Sequence, residues 1–301
     1  MLVHRFERST HPSRIVLLGS NGFLASELRR TFDSARMAYR AVGSKEVDLI
    51  EGSSTDQLAQ ILQSQDALVI TSALTPEKGR DPATLIKNLR MVEHVTLVLG
   101  RQPCAQVVYV SSDGVYSARS SLIAEDSPCE TADIYAVAHV VREKILLQAC
   151  QKAEIPLAIV RPSAIYGSGD THNSYGPNRF ARAALKDGKI VLFGCGEERR
   201  DHVHVKDVAS LIQRCLEHRS AGVLNAVTGQ AWSFRAIAEK ITGVLGYPIA
   251  IQELPRTGPI THRHFDITAR LRAFPDFQTT SIESGLAETV AGMRDVKAGP
   301  S

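Results

Sequence analysis

Runs of four or five apolar residues alternate with longer stretches whose apolar positions recur every three or four residues. The first run, Ile15-Val16-Leu17-Leu18 after Arg14, reads as a buried strand over 14–18, and a glycine-rich turn follows it. The pattern then predicts a helix over 23–32, a strand over 39–42, a helix over 55–63 and a strand over 67–71. Pro82 opens a long predicted helix over 82–99, at a position where its missing N–H does no harm. A strand over 107–110, a helix over 134–151 and a strand over 157–160 complete the series. Strands that are apolar at every position must be covered on both faces, and strands separated by helices run parallel. Right-handed crossovers turn this order into an α/β fold built on a doubly wound parallel sheet.

After Arg161-Pro162 the texture changes, and Gly, Pro and Asn become frequent through 163–178. A helix over 179–186 and a strand over 190–193 follow. The expected organisation is an extension over 1–13, a first domain over 14–162 and a smaller lobe over 163–301, interleaved with late strands of the sheet. Residues 1–13 are polar, lack the apolar core of a signal peptide and predict a frayed extension.

A chain of 301 residues buries a core without help from disulfides or metals. With 44% apolar and 22% charged residues, disorder is excluded. A formal charge of +3 is too small for a nucleic-acid footprint. The apolar runs are strand-sized, so no membrane span is expected. Cys104, Cys129, Cys150, Cys195 and Cys215 are scattered and form no CxxC. They predict reduced thiols in a cytoplasmic protein, with neither a disulfide framework nor a zinc site.

The chemistry begins at Gly19-Ser20-Asn21-Gly22-Phe23-Leu24-Ala25, between the first strand and the first helix. A dinucleotide pyrophosphate needs a tight turn, close backbone approach and the N–H groups of a helix N-terminus, and this context supplies all three. Gly19, Asn21, Gly22, Phe23 and Leu24 are the expected contacts. At the end of the second strand a carboxylate would accept the ribose 2′-OH of NAD and repel the 2′-phosphate of NADP. Ser44 and Lys45 stand there instead, with Glu46 one step late. The preference therefore leans to NADP, with NAD possible. Asp48 is placed near the adenine.

Several motifs now occur in a fixed order: the glycine turn, Val110-Ser111-Ser112-Asp113-Gly114-Val115-Tyr116, Tyr135, Arg161-Pro162-Ser163-Ala164-Ile165-Tyr166-Gly167, and Arg199-Arg200-Asp201-His202-Val203-His204. Together they resemble the extended short-chain dehydrogenases/reductases. More narrowly, they resemble the NAD(P)-dependent epimerase/dehydratase group that acts on nucleotide sugars. The resemblance covers nearly the whole chain from Arg14. It implies a Rossmann domain, a sugar-nucleotide lobe, and hydride transfer at a sugar carbon. It assigns Ser112, Asp113 and Tyr135 to the chemistry. It adds Ser72, Ala73, Tyr135 and Arg161 to the cofactor contacts, and Ser112 and Arg200 to the substrate contacts. Asn178 and Arg179 open a helix, where an anion is well received, and are expected to face the substrate diphosphate.

The sequence departs from the family at His139, where the Tyr-x-x-x-Lys helix carries its lysine. Residues i and i+4 share a helix face, so the imidazole takes the lysine's place beside both Tyr135 and the cofactor. Its own ionisation, near 6.5 when free, is expected to enter the rate, and Arg142 offers an alternative charge. Gly114 departs too, standing where dehydrating relatives carry the Glu that serves as C5 base, so a 4,6-dehydratase ranks third. An epimerase and a ketoreductase stay open together. The alternative is a nucleotide-binding scaffold whose chemistry was lost with the lysine. His202 and His204 share a strand face but lack a third ligand, so no metal is expected. Many relatives pair through two helices per subunit. Val137, Val140, Val141, Ile145 and Leu146 give the Tyr135 helix the apolar surface for a homodimer.

Overall fold

The computed structural model describes residues 2–298 apart from 118, 119, 121 and 257. Its elements run β1 (Arg14–Leu18), α1 (Phe23–Ser34), β2 (Tyr39–Val42), α2 (Ser54–Ile61), β3 (Asp66–Ile70), α3 (Pro82–Arg101), β4 (Gln106–Val110), α4 (Ile134–Lys152) and β5 (Leu157–Pro162). They continue with β6 (Ala164–Tyr166), α5 (Pro177–Asp187), β7 (Lys189–Phe193), β8 (Arg199–His204), α6 (Val205–Glu217) and β9 (Gly222–Ala226). The last are β10 (Ala231–Ser233), α7 (Phe234–Leu245), β11 (Ala250–Leu254), α8 (Thr268–Ala273) and α9 (Ile282–Ala298).

The main sheet has six strands in the order β2-β1-β3-β4-β5-β9, and every pairing is parallel. Alternate residues of each strand feed opposite layers, because strand side chains alternate between faces. Ile15, Leu17, Val69, Val108 and Val160 pack under Leu28, Phe32, Val208 and Ile212 of α1 and α6. Val16, Leu18, Leu68, Val107 and Ile159 pack under Leu58, Val92, Val95 and Leu146 of α2, α3 and α4. Burial on both faces is why these strands read as unbroken apolar runs.

The sheet stops at β2. In the strand order 3-2-1-4-5-6 a further strand would lie outside it. Here residues 43–53 form turns, and Val47 and Leu49 are buried against the same layer as Leu58. After β5 the chain builds two small sheets, β10-β8-β6 and β11-β7. They share a core of Tyr166, Phe180, Leu192, Phe234, Ile237 and Leu286. Between β8 and β10 the chain returns to the main sheet as α6 and β9.

The N-terminal segment departs from the frayed extension expected of it. Leu2 is buried in the α1–α6 layer, and Val3 forms an antiparallel bridge to Ala221. The His4 ring lies 2.8 Å from Ser220 Oγ and 2.9 Å from the Ala273 carbonyl oxygen, beside Phe274. Buried Leu2, the Val3 backbone bridge and the two His4 contacts offset the entropy of ordering this stretch.

Candidate active site

The glycine turn is shaped by close approach. Gly19 has φ +94°, and a Cβ there would come within 2.8 Å of the Ser72 backbone nitrogen. The turn closes by a Gly22 N–H donating to the Gly19 carbonyl. Gly22 caps α1 without a side-chain acceptor, and the first turn holds no acidic residue. The first N–H groups of α1 are therefore left for an anion. Leu24 is buried in the core, so only its backbone can serve such a ligand. The Phe23 ring packs against Gly167 and Gly169 across the cleft. A Cβ on Gly43 would meet Ser20 Oγ at 2.8 Å, so the stretch after β2 abuts the glycine turn. Ser44 and Lys45 lie exposed there. Glu46 pairs with Arg40 at 2.5 Å, and Asp48 accepts the Ile50 N–H at 3.0 Å.

Ser72 ties this cradle to α4. Its carbonyl accepts a 2.6 Å hydrogen bond from Arg142, while its hydroxyl is buried without a partner; Ala73 follows it in the same loop. Arg142 also donates to Asn88 Oδ1 at 3.2 Å and lies 5.2 Å over the Tyr109 ring. The Tyr109 hydroxyl meets His139 Nδ1 at 2.6 Å, and the His139 ring stands edge-on to Tyr135 with centroids 4.7 Å apart. Asp133 caps α4, its carboxylate accepting the Tyr135 and Ala136 N–H groups.

Burial pushes the Tyr135 phenol up to about 12; Arg142 opposes this, while Asp113, Glu77 and Asp133 reinforce it. Burial, with Arg142 beside it, pushes the His139 imidazole down to about 3. This corrects the expectation that His139 titrates near neutrality. It is a neutral ring throughout the physiological range, because nothing around it repays the cost of burying a charge.

Ser112 ends β4 and caps a short 3-10 turn over Asp113–Val115, its hydroxyl accepting the Gly114 N–H at 3.1 Å. A Cβ on Gly114 would stand 3.3 Å from both Ala136 Cβ and Ser112 Oγ. The turn thus lies against the first turn of α4, near Tyr135. The neighbouring Ser111 donates to Glu143 at 2.5 Å, and Glu143 takes both Arg161 contacts, at 2.9 and 2.6 Å. Arg161 also donates to the Tyr116 hydroxyl and the Glu125 carbonyl, and its charge is held firmly by Glu143. This commitment corrects Arg161 as a cofactor contact: its guanidinium braces the floor of the site.

One substrate expectation is revised in the same way. Asn178 is buried; it accepts from the Gly167 N–H and donates to Asp170, so its amide shapes the 167–170 loop. Arg200 donates to the Thr261 hydroxyl at 2.8 Å and to the Thr261 carbonyl, with part of its side chain still open to solvent. Arg179 is exposed, 5.8 Å over Tyr175. The sequence reading missed Arg263. It donates to the Asp113 carbonyl at 2.6 Å and to the Tyr116 carbonyl at 3.3 Å, and lies 3.4 Å from the Asp113 carboxylate. Burial raises that carboxyl, against Arg263 and Arg200. The cluster His262-Arg263-His264 was the available signal. Asp201 binds Ser163, Thr228 and Gly229, and His202 is buried with both ring nitrogens unpartnered. No group of three or more His, Cys, Asp or Glu among the described residues is arranged to hold a metal. None of the described helices is long and apolar enough to cross a membrane.

A parallel sheet whose strand ends carry a glycine turn, a serine and a helix-borne tyrosine defines a class of nucleotide-binding α/β protein. Residues 15–227 match the model of the NAD dependent epimerase/dehydratase family, and the chain belongs to that family. It is 23% identical to the dTDP-4-dehydro-6-deoxy-D-allose reductase of Streptomyces bikiniensis, over 98% of this chain and 88% of that protein. The fold is shared with a Thermotoga maritima UDP-glucose 4-epimerase solved with UDP-glucose, at TM-score 0.85 and 17% identity over 94% of this chain and 99% of that one. It is also shared with Pseudomonas aeruginosa RMD complexed with NADPH, at TM-score 0.82 and 23% identity over 94% and 99%.

Proposed function

We propose that the protein is an NADPH-dependent ketoreductase of nucleotide-linked sugars. What supports this reading is the 23% identity to a dTDP-4-dehydro-6-deoxy-D-allose reductase over 98% of this chain. Reduction of a ketone also requires a proton donor, and the half-buried Tyr135 phenol, raised above its ordinary value, is in donor form.

The cradle of Gly19, Gly22 and the α1 N-terminus fits a dinucleotide pyrophosphate, since the first N–H groups of α1 meet no side-chain cap and Gly19 makes the tight turn at φ +94°. Ser44 and Lys45 would hold a 2′-phosphate, and Glu46 is turned aside by Arg40. When bound, the reduced nicotinamide supplies the hydride. Tyr135 gives its proton to the carbonyl oxygen, and the Ser112 hydroxyl donates a hydrogen bond to that oxygen as it gains charge. Gly114, whose Cβ would stand 3.3 Å from Ala136 and Ser112, supplies no second carboxylate beside Asp113, which supports reduction over dehydration. Arg179, Arg200 and Arg263 offer charge to a diphosphate. Exposed Ile86 and Leu97 on α3 and Leu147 on α4 support a homodimer through these helices.

The test incubates the protein with NADPH deuterated at the nicotinamide C4 and a panel of nucleotide-linked keto sugars. One deuterium at the new carbinol carbon, with stoichiometric loss of NADPH, is expected. An epimer formed without net NADPH loss would make it an epimerase. Cofactor binding with no label transfer to any sugar would favour the scaffold reading, which the neutral His139 supports.

A further inference from the structure

We infer that two residues share the place of the missing lysine: His139 is held as a neutral hydrogen-bond donor, and Arg142 supplies the charge that sets Tyr135. The inference rests on Tyr135 being the proton donor of the proposed reaction.

The hydrogen-bond half follows from the Tyr109–His139 contact. Among the described contacts, the Tyr109 hydroxyl meets no partner other than His139 Nδ1, 2.6 Å away. Its single proton is satisfied only by donation to that nitrogen. A neutral imidazole that accepts at Nδ1 carries its own proton on Nε2, across the ring. His139 is thereby fixed as a donor at Nε2.

The charge half follows from where Arg142 is held. It lies two turns after Tyr135 on the same helix, 1% exposed. Its guanidinium is pinned on three sides, by the Ser72 carbonyl, by Asn88 Oδ1 and by the Tyr109 ring. Asn88 is itself locked by the backbone of Leu74 and Thr84. The Arg142 Nε is buried without a partner, an expense that packing alone does not explain. The pinned cation sits at the junction of the Ser72 loop, Tyr109 and α4, and Tyr109 joins it to the Tyr135–His139 pair through its 2.6 Å contact with His139. The other charged groups that act on Tyr135 are Asp113, Glu77 and Asp133, all of opposite sign. Glu77 lies 3.4 Å from His172 and Asp133 pairs with exposed Arg80, so neither has a cation to spare. When Tyr135 gives up its proton, Arg142 is the buried positive charge that stabilises the phenolate left behind.

The experiment labels the protein with 3,5-difluorotyrosine, whose phenol ionises in a range where the fold survives, and follows the fluorine NMR shift against pH. Tyr135→Phe assigns the signal. Arg142→Met is expected to move the Tyr135 transition up by about one pH unit or more. Arg142→Lys should restore it to near the wild-type position, which a purely structural arginine would not do. His139→Gln should leave it within about 0.3 unit, because a neutral ring is replaced by a neutral amide. If Arg142→Met fails to fold, Arg142→Lys and His139→Gln still decide. A large upward shift in His139→Gln, or an unchanged transition in Arg142→Met, would overturn the division of tasks. No substrate is needed, so failure of the ketoreductase reading shows up separately, as absent deuterium transfer.

Discussion

His139 and Tyr109 meet through a 2.6 Å hydrogen bond in a pocket where both are almost completely buried. An imidazole held this way is a rigid neutral spacer, and it governs what acid does to the protein. Burial pushes His139 and the unpartnered His202 each down to about 3. The unfolded chain therefore takes up protons that the folded chain refuses between about pH 6.5 and 3. Stability is complete above that window and falls as pH drops through it, by about 1.4 kcal/mol per pH unit for each histidine. Melting temperatures measured from pH 7 to 4 should fall steeply, and His202→Asn should flatten the slope. A flat profile in the wild type would show that these rings accept protons in place.

Tyr135→Phe should abolish hydride transfer while leaving cofactor affinity within a few-fold. Isothermal titration beside a label-transfer assay separates the two effects. Unchanged turnover would place the proton donor elsewhere.

NADPH should bind more tightly than NADH. Lys45→Ala should weaken NADPH by up to about tenfold, near 1.4 kcal/mol, and leave NADH unaffected. Salt should reduce the difference, since Lys45 is exposed. Tighter binding of NADH would refute the reading of this loop.

Gly19→Ala combines a positive φ with a 2.8 Å clash against the Ser72 backbone. A loss of roughly 1–3 kcal/mol in stability is expected from the strain, together with loss of dinucleotide binding. Chemical denaturation and cofactor titration read the two separately.

Glu143→Gln leaves the Arg161 guanidinium buried and half paired, with only 6% of its side chain exposed. Removing one member of such a pair costs about 3–5 kcal/mol. The variant should melt well below the wild type, and Arg161→Met should do the same.

Much of this architecture was visible in the chain because the main-sheet strands are apolar at nearly every position and the helices between them are periodic. The glycine turn was legible for a local reason: its role depends on neighbours within the same few residues. What escaped depends on distant partners. Val47 and Leu49 gave no sign that residues 43–53 would replace an outer strand with turns. His4 carries no pattern of its own, and its partners Ser220 and Ala273 lie more than two hundred residues away. Asn178 was read as an anion ligand because it sits at a helix start, yet its amide is consumed by Gly167 and Asp170. Arg263 finds Asp113 across 150 residues, a pairing that no spacing rule foretells.

That long reach places a guanidinium under the serine. Arg263 donates to the carbonyl oxygens of Asp113 and Tyr116 on either side of the turn that follows Ser112. Losing Arg263 would leave both carbonyls without their charged donor. The backbone that presents Ser112 is thus braced by a side chain far from it in the sequence.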